Sequence, residues 1–251
     1  MGLTKVFNRT ANNIAWLNGA QFDSLTEHRA DVWRVNINLA LVRLADFKMI
    51  LRADEIARAS RYVQAKDSNR FIVSRGALRH ILGVYLSRPP ASIELVEGVN
   101  KKPEIYNPAN TGLYYNVSHS GDWILIAVAR SEIGVDIEFI NPVFDFNDVM
   151  SDIFMPGELA FVNELDPAER FFTLWTRKEA LAKATGQGLD ENFMSIPALD
   201  GEHTIDDTDA PSVGNWQVTS FDMDQHHIAS LACNLDVSET RFWNINFNKA
   251  R

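Results

Sequence analysis

Cysteine is almost absent from the 251-residue sequence, which contains only Cys233. A single thiol excludes a disulfide within the chain and a zinc site built on cysteine ligands. Long hydrophobic runs are absent as well: no apolar stretch approaches the roughly 18 residues of a membrane-spanning helix, and the first residues lack the apolar core of a secretory signal. We therefore expect a cytoplasmic protein in a reducing compartment, with no membrane partner.

Positive charge is also scarce. The chain has 24 Lys and Arg against 33 Asp and Glu, which gives a net charge of −9. This balance excludes an overall basic surface for gripping a duplex, so no nucleic-acid partner is expected. It does not exclude an anionic ligand, because a few local cations or a bound metal can dominate the field inside a cleft.

The strand and helix patterns that are present follow one another in a mixed order. Alternation predicts a strand that begins near residue 31, and an apolar run predicts a buried strand over 123–129. Helical spacing predicts long helices over 67–86 and 168–184, the first capped by Asp67 or Ser68. This mixture favours an α+β fold over a regular βαβ winding.

The chain divides near residue 130 into two halves, each with one long helix and several strands. We therefore predict two similar α/β subdomains, 1–130 and 131–251. Residues 200–214, rich in acidic and small side chains, are predicted to form a loop.

The segment from Ile133 to Ile140 carries the first chemical signal. Side chains on a strand alternate between its faces, so Asp136 and Glu138 point the same way while the other face is apolar. Two adjacent carboxylates repel each other unless a cation lies between them, and hard oxygen ligands suit Mg²⁺. A solvent-facing strand edge is the alternative interpretation. Gly134 favours close approach of another group.

The predicted second long helix carries another set of functional candidates. Thr176, Glu179 and Lys183 share one helical face, so Glu179 can add a third carboxylate while Lys183 reaches a phosphate oxygen. The alternative is an ordinary solvated Glu–Lys pair one turn apart.

Two further groups of polar residues fit an anion. Residues 116–122, NVSHSGD, are typical of a polar loop with hydroxyl, imidazole and N–H donors; no hydrolase triad is implied, and a plain turn is the alternative. Arg75 and the pair Lys101 and Lys102 offer cations for phosphate, although such residues are more often solvated surface charges.

Taken together and in this order, the segments resemble the phosphopantetheinyl transferases, within them the surfactin-type class of two-lobed single-chain enzymes. The matching motifs are GVDIE at 134–138, LWTRKEALAK at 174–183 followed by GQGL, and NVSHS at 116–120. KKPEI at 101–105 and the arginines of the first long helix match more loosely. The resemblance covers about 55–200, and it implies two lobes related by a pseudo-two-fold, each a mainly antiparallel sheet packed on a long helix.

The resemblance also implies residue roles. The Mg²⁺ ligands are Asp136, Glu138 and Glu179. The catalytic residues are Glu179, Asp136 and Lys183. The contacts to coenzyme A, the co-substrate, are Arg75, Lys102, Ser118, His119, Lys178 and Lys183, with Lys178 serving either a phosphate or a structural ion pair. Arg58 and Arg61 are further candidate nucleotide contacts. Lys101 stands where the family often has Gly, which weakens the case for Lys102.

The implied reaction moves the phosphopantetheine arm of coenzyme A to a serine of an apo acyl, peptidyl or aryl carrier protein and releases 3′,5′-ADP. A monomer is expected, because the two-lobed class builds its site from one chain. Two alternatives stay open: a Mg²⁺-dependent hydrolase of phosphodiesters or pyrophosphates that uses the same carboxylates, and a silent coenzyme A-binding protein.

Overall fold

The computed structural model describes residues 3–19, 23–98, 102–106, 112–186, 188, 192–206, 214–245 and 247. Lys101, one of the candidate phosphate contacts, lies outside these ranges. The α-helices are α1 Ile37–Ala40, α2 Leu44–Ile50, α3 Ala53–Ala59, α4 Ala65–Leu86, α5 Asn147–Ile153, α6 Pro156–Val162 and α7 Pro167–Thr185. The strands are β1 Leu3–Ala11, β2 Trp16–Asn18, β3 Arg29–Asn36, β4 Leu95–Glu97, β5 Pro103–Ile105, β6 Tyr114–Ser120, β7 Trp123–Ala129, β8 Ile133–Phe139, β9 Gly201–Asp206, β10 Trp216–Asp224, β11 His227–Asn234 and β12 Glu239–Asn244.

The strands form two five-stranded sheets and a small hairpin. One sheet has the order β2-β12-β3-β7-β6 and packs on α4; the other has the order β8-β11-β10-β1-β9 and packs on α7. The hairpin pairs β4 with β5. The predicted α+β fold with two sheet-containing lobes is thus confirmed.

A common unit repeats in the two lobes. In the first lobe, β3 is followed by α4, β6 and β7, and β7 lies between β3 and β6 with antiparallel pairing on both sides. In the second lobe, β8 is followed by α7, β10 and β11, and β11 lies between β8 and β10 in the same way. The repeated unit accounts for the two-fold similarity that the family resemblance implied.

The two ends of the chain are exchanged between the lobes. β1 pairs in parallel with β10 inside the second sheet, and β12 pairs in parallel with β3 inside the first. The boundary predicted near residue 130 falls in the turn between β7 and β8, where the chain passes from one sheet to the other. The division 1–130 and 131–251 stays a prediction, with the terminal strands crossing it.

Apolar side chains of the described residues form four clusters; three pack on the faces of the two sheets as described next, and the fourth gathers Phe154, Val162 and Phe171 around helices α5, α6 and α7. Trp33 and Ile126 on one face of the first sheet pack against α4. Val32 and Leu125, on the opposite face, meet Val135 and other side chains of the second sheet in a core between the two sheets. The face of the second sheet that α7 covers forms a third core. Successive side chains of a strand point to opposite faces of the sheet, so a strand that is apolar throughout contributes to the cores on both sides.

Two local predictions are corrected by the structure. Helix α4 begins at Ala65 with Gln64 as its N-cap residue, so Asp67 and Ser68 lie in its first turn and do not cap it. The segment 200–214 is a strand, β9, over Gly201–Asp206, because it pairs with β1; part of the remainder lies outside the described residues. Within the described ranges, no helix is both long and apolar enough to cross a membrane.

Candidate active site

The candidate site lies where the edge strands of the two sheets, β6 and β8, run side by side. No strand pairing joins β6 and β8 in the described sheets. Instead, every second side chain of β6 forms a hydrogen bond to β8, and we call this line of contacts between the two strands the seam. The seam consists of Asn116 Oδ1 accepting from Val135 N at 3.0 Å, Ser118 Oγ donating to Asp136 Oδ1 at 2.8 Å, and Ser120 Oγ donating to Glu138 Oε2 at 3.1 Å. Because both strands have a period of two, the polar side chains meet on one face.

Gly134 brings helix α7 onto this face of β8. A β-carbon at position 134 would overlap the carbonyl oxygen of Ala180 and the backbone nitrogen of Ala184. Without a side chain there, the helix approaches β8 closely enough for Glu179 and Lys183 to lie beside Asp136. The glycine of the GVDIE motif is thus a requirement of packing between a strand and a helix.

Asp136 is the buried centre of the site, with 2% of the residue exposed. Its Oδ1 atom accepts from Lys183 Nζ at 2.6 Å and from Ser118 Oγ. Its Oδ2 atom is buried and has no hydrogen-bond partner in the part of the chain that the structure describes. Burial raises the pKa of Asp136, and this effect outweighs the opposing attraction of Lys183. The carboxylate therefore has one oxygen available for a further cation.

The other two carboxylates also lie in surroundings that disfavour their charged forms. Burial, followed by repulsion from Asp136, raises the pKa of Glu138 to about 7. Burial raises the pKa of Glu179 as well, against the attraction of Lys183, whose Nζ lies 3.6 Å from Glu179 Oε2. Three carboxylates with raised pKa values around one ammonium are a site short of positive charge.

Lys183 is the cation of the cluster. Desolvation alone would lower the pKa of its ammonium, but attraction to Asp136 and Glu179 raises it, so Lys183 is charged at neutral pH. Lys183 lies one turn after Glu179 and on the same face of α7, as the helical spacing predicted, and this position brings its ammonium to the seam.

The residues at the seam fit a magnesium ion in their chemistry, although they do not form a complete cage. Carboxylate oxygens are the ligands that Mg²⁺ prefers, and it commonly takes one or two of them with waters and substrate phosphates. Among the described residues, no three His, Cys, Asp or Glu side chains form a preformed metal cluster. The free Oδ2 atom of Asp136 is the observation that favours a cation here.

A cavity of about 230 Å³ opens on the other side of β6, between that strand and helix α4. Odd-numbered residues of β6 point into it, because they face away from the seam residues. Polar and aromatic side chains line it, including Arg58, Tyr62, Arg70, Phe71, Arg75 and His119. Three arginines line the cavity against one aspartate, Asp67, which forms an ion pair with Arg70, so the lining is cationic in an otherwise acidic protein.

Arg75 and His119 both line this cavity, while their contact with a phosphate stays a prediction. The guanidinium of Arg75 lies over the ring of Phe71, 5.6 Å from its centroid, and its Nε is 3.9 Å from Glu55. Partial burial, aided by the positive charges of Arg70 and Lys183, lowers the pKa of His119. The imidazole is therefore neutral at pH 7.

Ser118 and Lys102 lie near the site but are engaged within the protein. Ser118 is buried and points to Asp136. Lys102 donates to the carbonyl oxygen of Ala184 at 2.7 Å, in the last turn of α7, and burial lowers its pKa. Cations at a helix C-terminus are stabilising. The predicted contacts of Ser118 and Lys102 with coenzyme A stay predictions.

The assignment of Lys178 to coenzyme A is corrected. Its side chain is fully buried; Nζ forms an ion pair with Glu158 at 2.9 Å and donates to the carbonyl oxygens of Met194 and Ile196. An ammonium has three donors, and these contacts use all of them. Lys178 is therefore the structural ion pair that the sequence left as the alternative.

Two residues of the seam were missed in the sequence. Asn116 and Ser120 were included only as parts of a polar loop, whereas they lie on a strand and hold β8 through Val135 and Glu138. The alternation of Asn116, Ser118 and Ser120 along NVSHS was the available signal, since period two predicts a common face.

Comparisons with known proteins agree with this geometry. The chain matches the family model of the 4′-phosphopantetheinyl transferase superfamily over residues 132–232, and the model of the 4′-phosphopantetheinyl transferase N-terminal region over residues 43–131. The first match spans β8, α7, β9, β10 and most of β11; the second spans α4 and β6.

Relatives of similar length carry the same name. The chain is 30% identical over 233 residues to the 4′-phosphopantetheinyl transferase HetI of a Nostoc species, covering 91% of this chain and 97% of the relative. It is 30% identical to the 4′-phosphopantetheinyl transferase psf-1 of Bacillus pumilus, covering 68% and 75%. It is also 30% identical to a 4′-phosphopantetheinyl transferase of Bacillus subtilis, covering 59% and 71%. The chain therefore belongs to the 4′-phosphopantetheinyl transferase superfamily, and the predicted enzyme class is confirmed.

Proposed function

We propose that the protein transfers the 4′-phosphopantetheine group of coenzyme A to a serine of an apo acyl, peptidyl or aryl carrier protein and releases 3′,5′-ADP. The observation that carries the proposal is the seam, where Asp136, Glu138 and Glu179 surround Lys183 directly beside a cationic cavity. Carboxylates for a metal and cations for phosphates are the two requirements of a pyrophosphate substrate.

The cavity between β6 and α4 supports binding of the nucleotide end of coenzyme A. Arg75 and His119 supply donors for a phosphate, and the neutral imidazole of His119 gains a proton when a phosphate dianion approaches. Arg58 and Tyr62 line both this cavity and an open cleft beyond it that also includes Arg61. The cleft gives the adenosine moiety space to extend along α3.

The reacting groups lie at the seam. Lys183 donates to an oxygen of the pyrophosphate and so offsets the charge that develops there. The serine oxygen of the carrier attacks the β-phosphorus, the bond from that phosphorus to the bridging oxygen of ADP breaks, and Glu179 takes the serine proton. Burial raises the pKa of Glu179, which brings its basicity closer to the working pH.

A magnesium ion belongs to the same proposal. Asp136, Glu138 and Glu179 would hold it, with the unpartnered Oδ2 atom of Asp136 as one ligand. When bound, Mg²⁺ neutralises charge on the pyrophosphate and orients it. The acidic side chains of the seam thus favour binding of an anionic substrate indirectly, through the metal ion that they would hold.

The setting of the reaction is proposed on two observations. Both lobes of the site come from one chain, which favours a monomer. The one cysteine, Cys233, is buried on β11, which favours a reducing cytoplasmic setting.

The proposal is tested by the intact mass of apo carrier proteins after incubation with the enzyme, coenzyme A and Mg²⁺. The expected result is a gain of one phosphopantetheine group on the carrier, together with 3′,5′-ADP, that disappears when EDTA replaces Mg²⁺. Metal-dependent loss of coenzyme A without any gain on carriers of all three types would favour the hydrolase alternative. Binding of coenzyme A without turnover would favour the silent alternative.

A further inference from the structure

We infer that His227, held by Asp224, is a positioning residue that fixes Glu138 for the metal by clamping the β6–β7 turn against the end of β8. The inference rests on the proposed function, because it concerns the magnesium ligand set. It arises from a histidine and an aspartate that the sequence patterns did not single out.

The orientation of the His227 ring is set by Asp224. Asp224 and His227 face each other across the β10–β11 hairpin, and His227 Nδ1 lies 2.9 Å from Asp224 Oδ1. An ionised carboxylate only accepts hydrogen bonds, so Nδ1 donates a hydrogen bond to Asp224. Only 8% of His227 is exposed, and Nε2 is buried without a hydrogen-bond partner among the described residues.

The imidazole ring of His227 lies between Gly121 and Phe139, which flank the seam contact of Ser120 with Glu138. A β-carbon built on Gly121 would be 2.9 Å from His227 Nε2, so only glycine allows this approach. The ring of Phe139 packs edge-on against the imidazole, with 5.3 Å between the centroids. Gly121 directly follows Ser120, and Phe139 directly follows Glu138. His227 therefore touches the residue next to each partner of the Ser120–Glu138 hydrogen bond.

Asp224 also holds the far side of the same turn. Trp123 Nε1 donates to Asp224 Oδ2 at 2.9 Å, so one carboxylate binds the His227 ring and the strand that leaves the turn. The turn belongs to the first sheet and Asp224 to the second, which makes this a link between lobes.

The clamp acts on Glu138 through Ser120. Ser120 Oγ donates to Glu138 Oε2 at 3.1 Å and accepts from Phe139 N at 2.9 Å, which aims the hydroxyl at the carboxylate. With Oε2 engaged, the other oxygen of Glu138 is left for the metal. Groups that orient a ligand in this way typically affect metal affinity by about 10–100-fold.

A double-mutant cycle tests the inference with a readout that does not depend on turnover. The variants are Ser120→Ala, His227→Ala and the double variant, with His28→Phe, at an exposed histidine on the loop before β3, as the control. Binding of Mn²⁺ to the enzyme–coenzyme A complex is measured from the free-ion electron paramagnetic resonance signal. Thermal unfolding in EDTA is recorded for every variant.

The inference predicts that each single substitution weakens Mn²⁺ binding about 10-fold. The double variant should bind Mn²⁺ at most about 2-fold more weakly than either single variant, because both substitutions break the same chain of contacts. Additive losses, or a loss of thermal stability with unchanged Mn²⁺ affinity, would overturn it. If His227→Ala does not fold, His227→Phe keeps the volume but loses the bond to Asp224, and it must show the same coupling with a smaller loss.

The failure of the proposed function has a different signature. A wild-type complex that binds no Mn²⁺ and modifies no carrier overturns that function and this inference together. A wild-type enzyme that modifies its carrier while the cycle is additive overturns the positioning role alone.

Discussion

Lys178 and Lys183 are about 1.4 turns apart on helix α7, and their side chains lie in different surroundings. Lys183 reaches the seam, whereas Lys178 is buried on the other side of the helix with Glu158. The sequence treats both as motif lysines, and the face of the helix decides between them. Five residues along a helix correspond to about 500°, which places the two side chains on different faces.

Because the ion pair of Lys178 with Glu158 is buried and away from the seam, we expect its removal to reduce stability without weakening substrate binding. Lys178→Met leaves the Glu158 carboxylate buried and unpaired, which costs about 3–5 kcal/mol of unfolding free energy. Urea unfolding measures this loss, and coenzyme A binding at low temperature is expected to be unchanged. Lys5→Met removes an exposed partner of Glu202 and serves as the control that changes stability little. Weakened coenzyme A binding by folded Lys178→Met would return Lys178 to the site.

The raised pKa of Glu138 leads to a prediction of how the stability of the metal-free protein depends on pH. Its pKa is about 7 in the folded protein against an ordinary value of 4.5, so the folded state binds more protons than the unfolded state between these values. Stability in EDTA therefore falls as pH rises through this window, and Asp136 and Glu179, also with raised pKa values, act in the same direction.

The pH dependence is checked by thermal unfolding in EDTA from pH 5 to pH 8. Glu138→Gln is expected to flatten the decline, whereas Glu132→Gln, at an exposed position near the start of β8, is expected to leave it unchanged. Mg²⁺ should restore most stability at the high end, because it binds the folded carboxylates. A decline that is as steep in Glu138→Gln as in the wild type would contradict this account.

At the scale of elements, the contact between β8 and α7 depends on Gly134. Gly134→Ala places a methyl group against the backbone of α7, and overpacking of this kind costs about 1–3 kcal/mol. The helix must also move, so Glu179 and Lys183 shift away from Asp136 and transfer activity should fall with stability. Chemical denaturation and carrier labelling measure the two effects.

The matched control is Gly157→Ala on α6. A β-carbon there meets only Leu199, at an ordinary contact distance of 3.8 Å. Alanine in a helix is more favourable than glycine by about 0.5–1 kcal/mol, so this variant should be as stable as the wild type or more so. Equal effects of the two substitutions would show that β8 and α7 tolerate a wider separation.

Elements with strong local signals could be predicted from the sequence. The alternation of β8 placed Asp136 and Glu138 on one face, and the glycine after α7 marked its end at Thr185. The hairpin of Asp224 and His227 could not be assigned a role, because its contact with Gly121 joins residues more than 100 positions apart. Contacts of this kind depend on how the two sheets pack, which no local pattern records.

At the scale of the whole molecule, the exchanged terminal strands join the lobes. β1 lies between β10 and β9, and β12 lies between β2 and β3, so each sheet includes a strand from the other end of the chain. The sequence could not predict these pairings, because β1 and β10 are separated by about 200 residues and several partners have the same alternating pattern.

The exchange predicts that the halves do not fold alone. A fragment of residues 131–251 lacks β1 from the interior of its sheet, and a fragment of residues 1–130 lacks β12. Each fragment should show little cooperative unfolding, and mixing the two should restore a single transition in circular dichroism. Cooperative unfolding of the isolated fragment 131–251 would mean that β1 is dispensable to its lobe.

The most direct test of the central claim, that the carboxylates and Lys183 at the seam carry out phosphopantetheine transfer, compares two Glu→Gln variants on helix α7. Glu179 lies at the seam, and Glu169 lies exposed in the first turn of the same helix. The measurement is the intact mass of an apo carrier protein after timed incubation with coenzyme A and Mg²⁺. The account predicts that Glu179→Gln slows the gain of phosphopantetheine by about 100-fold or more, as loss of a general base does, while Glu169→Gln matches the wild type. A Glu179→Gln enzyme that labels the carrier at the wild-type rate would contradict it.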